Sequence, residues 1–389
     1  MAPVLVDADF PGGNIAVDAV EIDATAEDTI RLHQELRDTG RDWFYWYFRV
    51  RGAAGRTVRF VFTASQAIGA LGPAVSTDGG STWSWLGCEA VEGNSFVFDT
   101  TSAEVRFSFG MPYQQSRWLD FADGLVGLPA FQQHALCTTA QQRTVNYVLA
   151  GCNDQTPLHR VAITCRHHCC EMMASYALEG LVDWIVRDDS EAARQLRQET
   201  QFFILPFVDL DGVEAGDQGK GRQPRDHGRD YEGESIYPVT GAIRQLLPGF
   251  AAGTLRACLD LHCPWISGPR NEVIFLVGSP DERMATEQRR FSDHLAEAAT
   301  GPLPVSPGDF LPFGTSWNTG DNHTDGIGFS GWAAGLPGVQ LATGVELPYA
   351  LAAGAEVNQE TARRFGVDLG VALARWLAET SPLKGDVAH

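Results

Sequence analysis

Near residue 125 the hydrophobic pattern changes period, and that switch bounds what the chain can fold into. Before it, short runs alternate apolar and polar side chains with a period of two, which suits half-buried strands. Asp42-Trp43-Phe44-Tyr45-Trp46-Tyr47-Phe48-Arg49-Val50 predicts an aromatic strand, followed across Gly52-Ala53-Ala54-Gly55 by Val58-Arg59-Phe60-Val61-Phe62. Asp78-Gly79-Gly80 signals a turn ahead of Trp83 and Trp85, and Val105-Arg106-Phe107-Ser108-Phe109 alternates again. Short strands punctuated by Gly and Asp predict a β-sandwich. The aromatic stripe reads as its core rather than as a carbohydrate platform.

Beyond about residue 130, strands alternate with helices. Glu171 is expected to open a helix through Val186, with Ala174, Leu178, Leu181 and Ile185 on one face at helical spacing. Residues 202–208, 257–261, 273–277 and 338–342 read as buried strands, and a last helix is expected from Asn358 to Glu379. Such a series predicts a mixed sheet covered by helices on both faces. The expected fold class is α/β, with an N-terminal β-sandwich over 1–125 and a mixed-sheet α/β domain over 126–389.

The bulk numbers exclude several function classes. A formal net charge of −20 argues against nucleic acid or an anionic membrane surface as partner, since phosphate binding wants a basic face. No stretch of 18 apolar residues appears, so no membrane span is expected. The opening Met1-Ala2-Pro3-Val4-Leu5-Val6-Asp7 has neither a basic region nor a signal-length apolar block, and a cytoplasmic location is expected. The 8 cysteines lack the spacing of a secreted disulfide framework; Cys165, Cys169, Cys170, Cys258 and Cys263 read as small, buried, reduced side chains.

The chemistry concentrates in Arg166-His167-His168-Cys169-Cys170-Glu171, directly after the apolar run 161–164. An imidazole and a carboxylate three residues apart at a strand end can converge on one cation. His262, closing Ala257-Cys258-Leu259-Asp260-Leu261, offers a third donor. Two histidines and one carboxylate around an open position make the ligand set of a catalytic rather than a structural zinc. Either His167 or His168 fits the spacing. Glu346, in Thr343-Gly344-Val345-Glu346-Leu347-Pro348, supplies a carboxylate that could activate a water beside such a metal.

Taken in order, these pieces resemble the M14 zinc carboxypeptidases, and among them the cytosolic carboxypeptidase branch and its bacterial relatives. The family's R-x-H-x-x-E is matched by Arg166, His168 and Glu171, which makes His168 the ligand. Its apolar strand and N-P-D-G-V are matched by residues 202–206 and Asp209-Leu210-Asp211-Gly212-Val213, and its D-x-N-R by Asp226-His227-Gly228-Arg229. Asp260-Leu261-His262 and Glu346-Leu347-Pro348 match the remaining motifs. The resemblance covers about residues 130–380; Phe10-Pro11-Gly12-Gly13-Asn14 and Met111-Pro112-Tyr113 are similar to the opening and close of the β-sandwich domain of that branch.

The resemblance implies one Zn2+ per chain on His168, Glu171 and His262, with Asp226 orienting a ligand histidine. It implies Glu346 as general base and then general acid, working on a water whose pKa falls from about 15.7 toward 7 on zinc. The arginine that polarises the scissile carbonyl is absent from its usual spacing, so Lys220 or Arg222 must stand in, with Lys220 expected as the catalytic group and Arg222 as substrate-binding. Arg229 is expected to grip a free carboxylate of a peptide or small amide substrate. The family's Asn is Gly228 here, and Gly228→Asn is expected to tighten that grip by roughly 0.5–1.5 kcal/mol. No tyrosine lies between His262 and Glu346, where such enzymes carry a covering phenol. The leading expectation is a carboxypeptidase. The alternative is a related zinc amidohydrolase acting on N-acyl amino acids or cell-wall peptides, and the third is a non-catalytic binding protein on the same scaffold.

Overall fold

A computed structural model describes residues 4–22 and 27–380; Met1-Ala2-Pro3 lies outside the described residues. Among the described residues ten strands precede residue 109: β1 (Leu5–Asp7), β2 (Ala16–Glu21), β3 (Asp28–His33), β4 (Tyr47–Arg51), β5 (Arg56–Phe62), β6 (Ala74–Ser76), β7 (Ser84–Trp85), β8 (Val91–Glu92), β9 (Ser95–Thr100) and β10 (Glu104–Ser108). They form two five-stranded sheets, β1-β4-β10-β6-β7 and β2-β3-β5-β9-β8. Aromatic side chains join the sheets face to face: Phe48 and Phe107 from one lie 5.5 and 5.0 Å from Phe60 of the other. This is the expected sandwich, and the aromatic stripe is its core, with Trp46, Phe48, Phe60, Phe96 and Phe107 fully buried.

The predicted strand Asp42–Val50 forms only from Tyr47. At Tyr45 the side-chain amide of Gln218 takes both backbone groups in place of a neighbouring strand: its Oε1 accepts from Tyr45 N at 2.8 Å and its Nε2 donates to Tyr45 O at 2.9 Å.

The second part is built on a seven-stranded mixed sheet. Its strands are β11 (Phe131–Thr138), β12 (Thr144–Gly151), β13 (His159–Cys165), β14 (Thr200–Leu205), β15 (Leu255–His262), β16 (Phe275–Leu276) and β17 (Leu341–Glu346). Their order is β11-β12-β14-β13-β15-β17-β16, and β14, β13, β15 and β17 run parallel at its centre. These central strands are buried at almost every position, as parallel strands covered on both faces must be. The helices are α1 (Gln115–Asp123), α2 (Met173–Arg187), α3 (Glu191–Glu199), α4 (Leu210–Ala215), α5 (Pro238–Ala251), α6 (Glu282–Ala298), α7 (Phe329–Ala333) and α8 (Gln359–Thr380).

Helix α2 begins two residues later than expected, at Met173. Residues 168–172 are instead a tight turn, with Glu171 N donating to His168 O at 3.2 Å and the Glu171 side chain turned toward histidines. Helices α2 and α8 then cross almost backbone to backbone. A Cβ on Gly180 would lie 2.1 Å from Arg363 O, and one on Gly366 only 2.0 Å from Ala177 O. Phe365, Leu369, Leu373 and Trp376 of α8 are buried; Val371, expected with them, falls off that face and is only partly covered. That packing fixes the axis of the helix that follows Glu171. No helix of the described residues is long and apolar enough to cross a membrane.

A candidate metal centre at the strand ends

Strands β13, β15 and β17 end side by side, with Cys165 opposite Leu261 and His262 opposite Glu346. The carboxyl ends of parallel strands are where open α/β sheets build sites. Arg166, just past β13, adopts a left-handed φ of 61°. Its buried guanidinium holds the turn closed, Nε donating to Cys169 O at 3.0 Å and Nη1 to Ser175 Oγ at 3.1 Å. The turn presents His168 and Glu171 toward His262.

Glu171 stands between the two imidazoles. His168 Nδ1 lies 2.8 Å from its Oε1 and His262 Nδ1 2.7 Å from its Oε2. One ligand atom from each of the three residues falls within 4.8 Å of the others. Behind them, His262 Nε2 meets Asp260 Oδ2 at 2.7 Å and His168 Nε2 faces Asp226 Oδ1 at 3.7 Å. At His262 the Asp260 carboxylate on Nε2 keeps the proton there and leaves the Nδ1 lone pair for a metal. Two nitrogens, one carboxylate and an open side fit a zinc ion. Glu346 adds to the fit: its Oε2 is buried with no hydrogen-bond partner among the described residues.

Burial opposes charge on Glu171, but His168 and His262 more than offset it and hold its carboxyl far below the usual range. Burial likewise opposes charge on His262, yet Asp260 and Glu171 hold it well toward the protonated form. A site this rich in negative charge wants a cation where that proton would sit. Glu346 goes the other way. Burial pushes its carboxyl up to about 7, with His262 pulling it down and Glu171 pushing it up.

His167 is turned away from this cluster. Nδ1 contacts Asp260 Oδ1 and Nε2 the Tyr231 hydroxyl, each at 2.7 Å, and the ring is fully buried. His167, Asp260 and His262 also form a group of metal-ligating type. Asp260 is already an acceptor there for Thr164 Oγ1 at 2.8 Å as well as for both histidines, so that group is satisfied without an ion.

Lys220 reaches the same centre. Its Nζ lies 3.2 Å from His168 Nε2 and 3.3 Å from Nδ1, against the side of the ring, and 5.9 Å from the centroid of Trp43. Asp226 accepts from Gly221 N at 2.8 Å; burial raises its carboxyl, but His168 and Lys220 outweigh that and hold it low. Arg229 is half-buried, its Nη1 donating to Gly228 O at 3.1 Å, and it forms no ion pair among the described residues.

Arg222 behaves otherwise than expected. Its Nε, Nη1 and Nη2 are taken by Asp38, Asp209 and Asp217 at 3.0, 2.5 and 3.0 Å. With every face of the guanidinium so engaged, it has no free edge for a substrate. The expectation for Gly228→Asn also falls. A Cβ at Gly228 would sit 2.6 Å from His168 Nε2, so any side chain there would push the histidine aside. The cysteines are free and most are buried; burial pushes the Cys165 and Cys170 thiols up to about 12, and neither metal-ligating group contains one. Sequence reasoning missed Asp38, Trp43, Gln218, Thr164 and Tyr231. Asp38, Trp43 and Tyr231 carry no local signal for these roles; Thr164 and Gln218 lie beside site residues in sequence, but the partners that give them their roles, Asp260 and Tyr45, are distant.

The zinc carboxypeptidase (M14) family profile matches residues 131–239. Cytosolic carboxypeptidase 6 of Caenorhabditis elegans is 23% identical over 290 residues, 67% of this chain and 62% of its own length. The chain spans about half to three fifths of the curated relatives it matches over most of itself, 54% of one and 62% of the other. A metallo-carboxypeptidase from Burkholderia cenocepacia superposes with a TM-score of 0.78 at 20% identity, over 97% of this chain and 100% of that one. One from Pseudomonas aeruginosa, solved in complex with (2-guanidinoethylmercapto)succinic acid, gives 0.76 at 20% identity over 96% and 99%. At such identities the superpositions establish a shared fold that runs through both halves of the chain.

Proposed function

From its place in the M14 zinc carboxypeptidase family, we propose that this chain is a zinc-dependent carboxypeptidase, with residues 1–125 and 126–389 as its two domains. His168, Glu171 and His262 would hold one zinc per chain. When bound, zinc supplies a Lewis acid that lowers the pKa of a water and polarises a carbonyl. The carrying observation is that both histidines turn Nδ1 to one carboxylate and Nε2 to others, beside the unpartnered Oε2 of Glu346.

Glu346 takes the proton of the attacking water and hands it to the leaving amine. Its carboxyl sits near neutrality before any cation is bound, and a nearby dication favours the ionised form that a base needs. Lys220 stabilises the negative charge that develops on the scissile oxygen, as a point charge where relatives use a planar guanidinium. Asp226 and Asp260 orient the imidazoles. Arg229, with no carboxylate partner among the described residues, takes the free carboxylate of the substrate. The ligand of the Pseudomonas protein is a succinic acid derivative, which agrees with a site that receives carboxylates. The many buried thiols suit a reducing compartment, in keeping with a cytoplasmic location.

One observation favours a second reading, a zinc amidohydrolase acting on N-acyl amino acids or cell-wall peptides. Gly228 has no room for the side chain that would share the carboxylate with Arg229, so the grip is single-handed. Peptides with free and amidated C-termini, assayed beside N-acyl amino acids, decide between them. Equal cleavage of the free and amidated peptides would move the assignment to the amidohydrolase.

A further inference from the structure

We propose that the N-terminal β-region sets the position of Lys220, and that Asp38 is the positioning residue. The inference rests on the reading of Lys220 as the group that stabilises the scissile oxygen.

Lys220 is one of two lysines in a chain that otherwise uses arginine. A lysine side chain is long and entropically costly to fix, and here it rides between two glycines, Gly219 and Gly221, with φ of 76° and 66°. Such a backbone has little stiffness of its own. Yet its path is fully constrained from across the molecule.

Asp38 Oδ1 accepts from Gln218 N at 2.9 Å, while its Oδ2 accepts from Gly219 N at 2.8 Å and Arg222 Nε at 3.0 Å. Two consecutive backbone N–H groups just before Lys220 thus close on one carboxylate, and hydrogen bonds to an ionised acceptor are the strong ones. Gln218, fully buried, reaches back with its Nε2 to Glu35 O and Tyr45 O at 3.0 and 2.9 Å. Asn14 Nδ2 holds Gly216 O at 2.7 Å. Trp43 then walls the far side of the Lys220 ammonium.

On its other side the loop presses on the ligand-bearing turn. A Cβ on Gly219 would lie 2.5 Å from Cys169 N, directly after His168. Fixing residues 218 and 219 between Asp38 and that turn leaves Lys220 one way to leave the loop, toward His168. Asp38 reaches the centre through the loop backbone before Lys220, and its Arg222 contact ties the same loop, so its effect on catalysis is expected to run through Lys220.

The test is a double-mutant cycle on the zinc-loaded enzyme with a C-terminally free peptide, comparing Asp38→Ala, Lys220→Met and the pair. Asp38→Ala is expected to lower kcat by roughly 10- to 100-fold, the scale of a misplaced catalytic group. KM and zinc content should stay near the parent values. In the Lys220→Met background, Asp38→Ala should cost nothing further. If Asp38→Ala does not fold, Asp38→Asn keeps the shape while weakening the pairing, and should show a smaller loss with the same dependence on Lys220. Equal losses in both backgrounds, or an Asp38 variant with full kcat, would overturn the positioning role. Full turnover in Lys220→Met alone would remove the reading of Lys220 itself, a result separable from the other two.

Discussion

The histidine cluster and the lysine loop face each other across one site but are built by different means. His168, Glu171 and His262 sit at the ends of neighbouring parallel strands, so the sheet that buries them also aligns them. Lys220 sits on a glycine-flanked loop with no regular structure, held by Asp38, Gln218 and Asn14 from or against the sandwich. A strand-end cluster inherits its precision from the core. A loop cluster must have it imposed from outside, here by residues roughly 180 positions away. The first should therefore fail by losing its ion, and the second by losing geometry with the ion in place.

The sharpest break concerns the cluster alone. His168→Ala or His262→Ala should strip the zinc and abolish activity, whereas His167→Ala should retain the metal because its ring serves Asp260 and Tyr231. Metal analysis of the three purified proteins checks this, and zinc lost only in His167→Ala would reverse the assignment. Gly228→Asn belongs with the first group. By displacing His168 Nε2 it should lower zinc occupancy rather than tighten substrate binding.

Glu346→Gln comes next. It keeps the volume and the zinc but removes the proton shuttle, and kcat should fall by about 100- to 10,000-fold. Near-normal turnover at full zinc occupancy would move the general base elsewhere. A smaller effect is expected at Arg229, which receives rather than transforms. Arg229→Ala should raise KM for free C-termini by roughly 10- to 100-fold, the value of a charged hydrogen bond or two. It should also flatten the preference over amidated peptides, and an unchanged preference would place the clamp on another residue.

The same contrast decides what could be read from the sequence. Arg166-x-His168-x-x-Glu171 is legible because a turn of six residues carries two side chains of metal-ligating type and the arginine that closes it. The strand-end rule then makes His262 and Glu346 sensible partners. The aromatic run 42–50 was half misleading, since its composition is that of a strand throughout. Gln218, a polar side chain distant in sequence, takes both backbone groups of Tyr45 and so acts as a strand partner in miniature. Arg222 shows the converse. Beside Lys220 in a glycine-rich loop it reads as a substrate contact, but Asp217 of the same loop, Asp209 ahead of it and the distant Asp38 all pair with it. No spacing rule reports such convergence.

Arg222 also supplies the mildest prediction at neutral pH that still separates the two regions, because it concerns stability rather than chemistry. Asp209 is buried, which raises its carboxyl, but His227 and Arg222 more than compensate and leave it below the ordinary carboxylate value. A group depressed in the folded state stabilises the fold above its unfolded pKa, about 3.9 for Asp, and loses that contribution as pH falls through the lower folded value. The pairing should therefore be fully present at pH 7 and decline between about pH 5 and the acid end. Asp209→Asn removes this titration and leaves Arg222 with Asp38 and Asp217. Urea unfolding of parent and variant should differ most at neutral pH and converge toward pH 3. The Asp260 and Asp226 carboxylates, which serve the histidines, should keep their own acid dependence in both proteins. A gap between parent and variant that does not narrow on acidification would mean that Asp209 holds the loop by shape and not by charge.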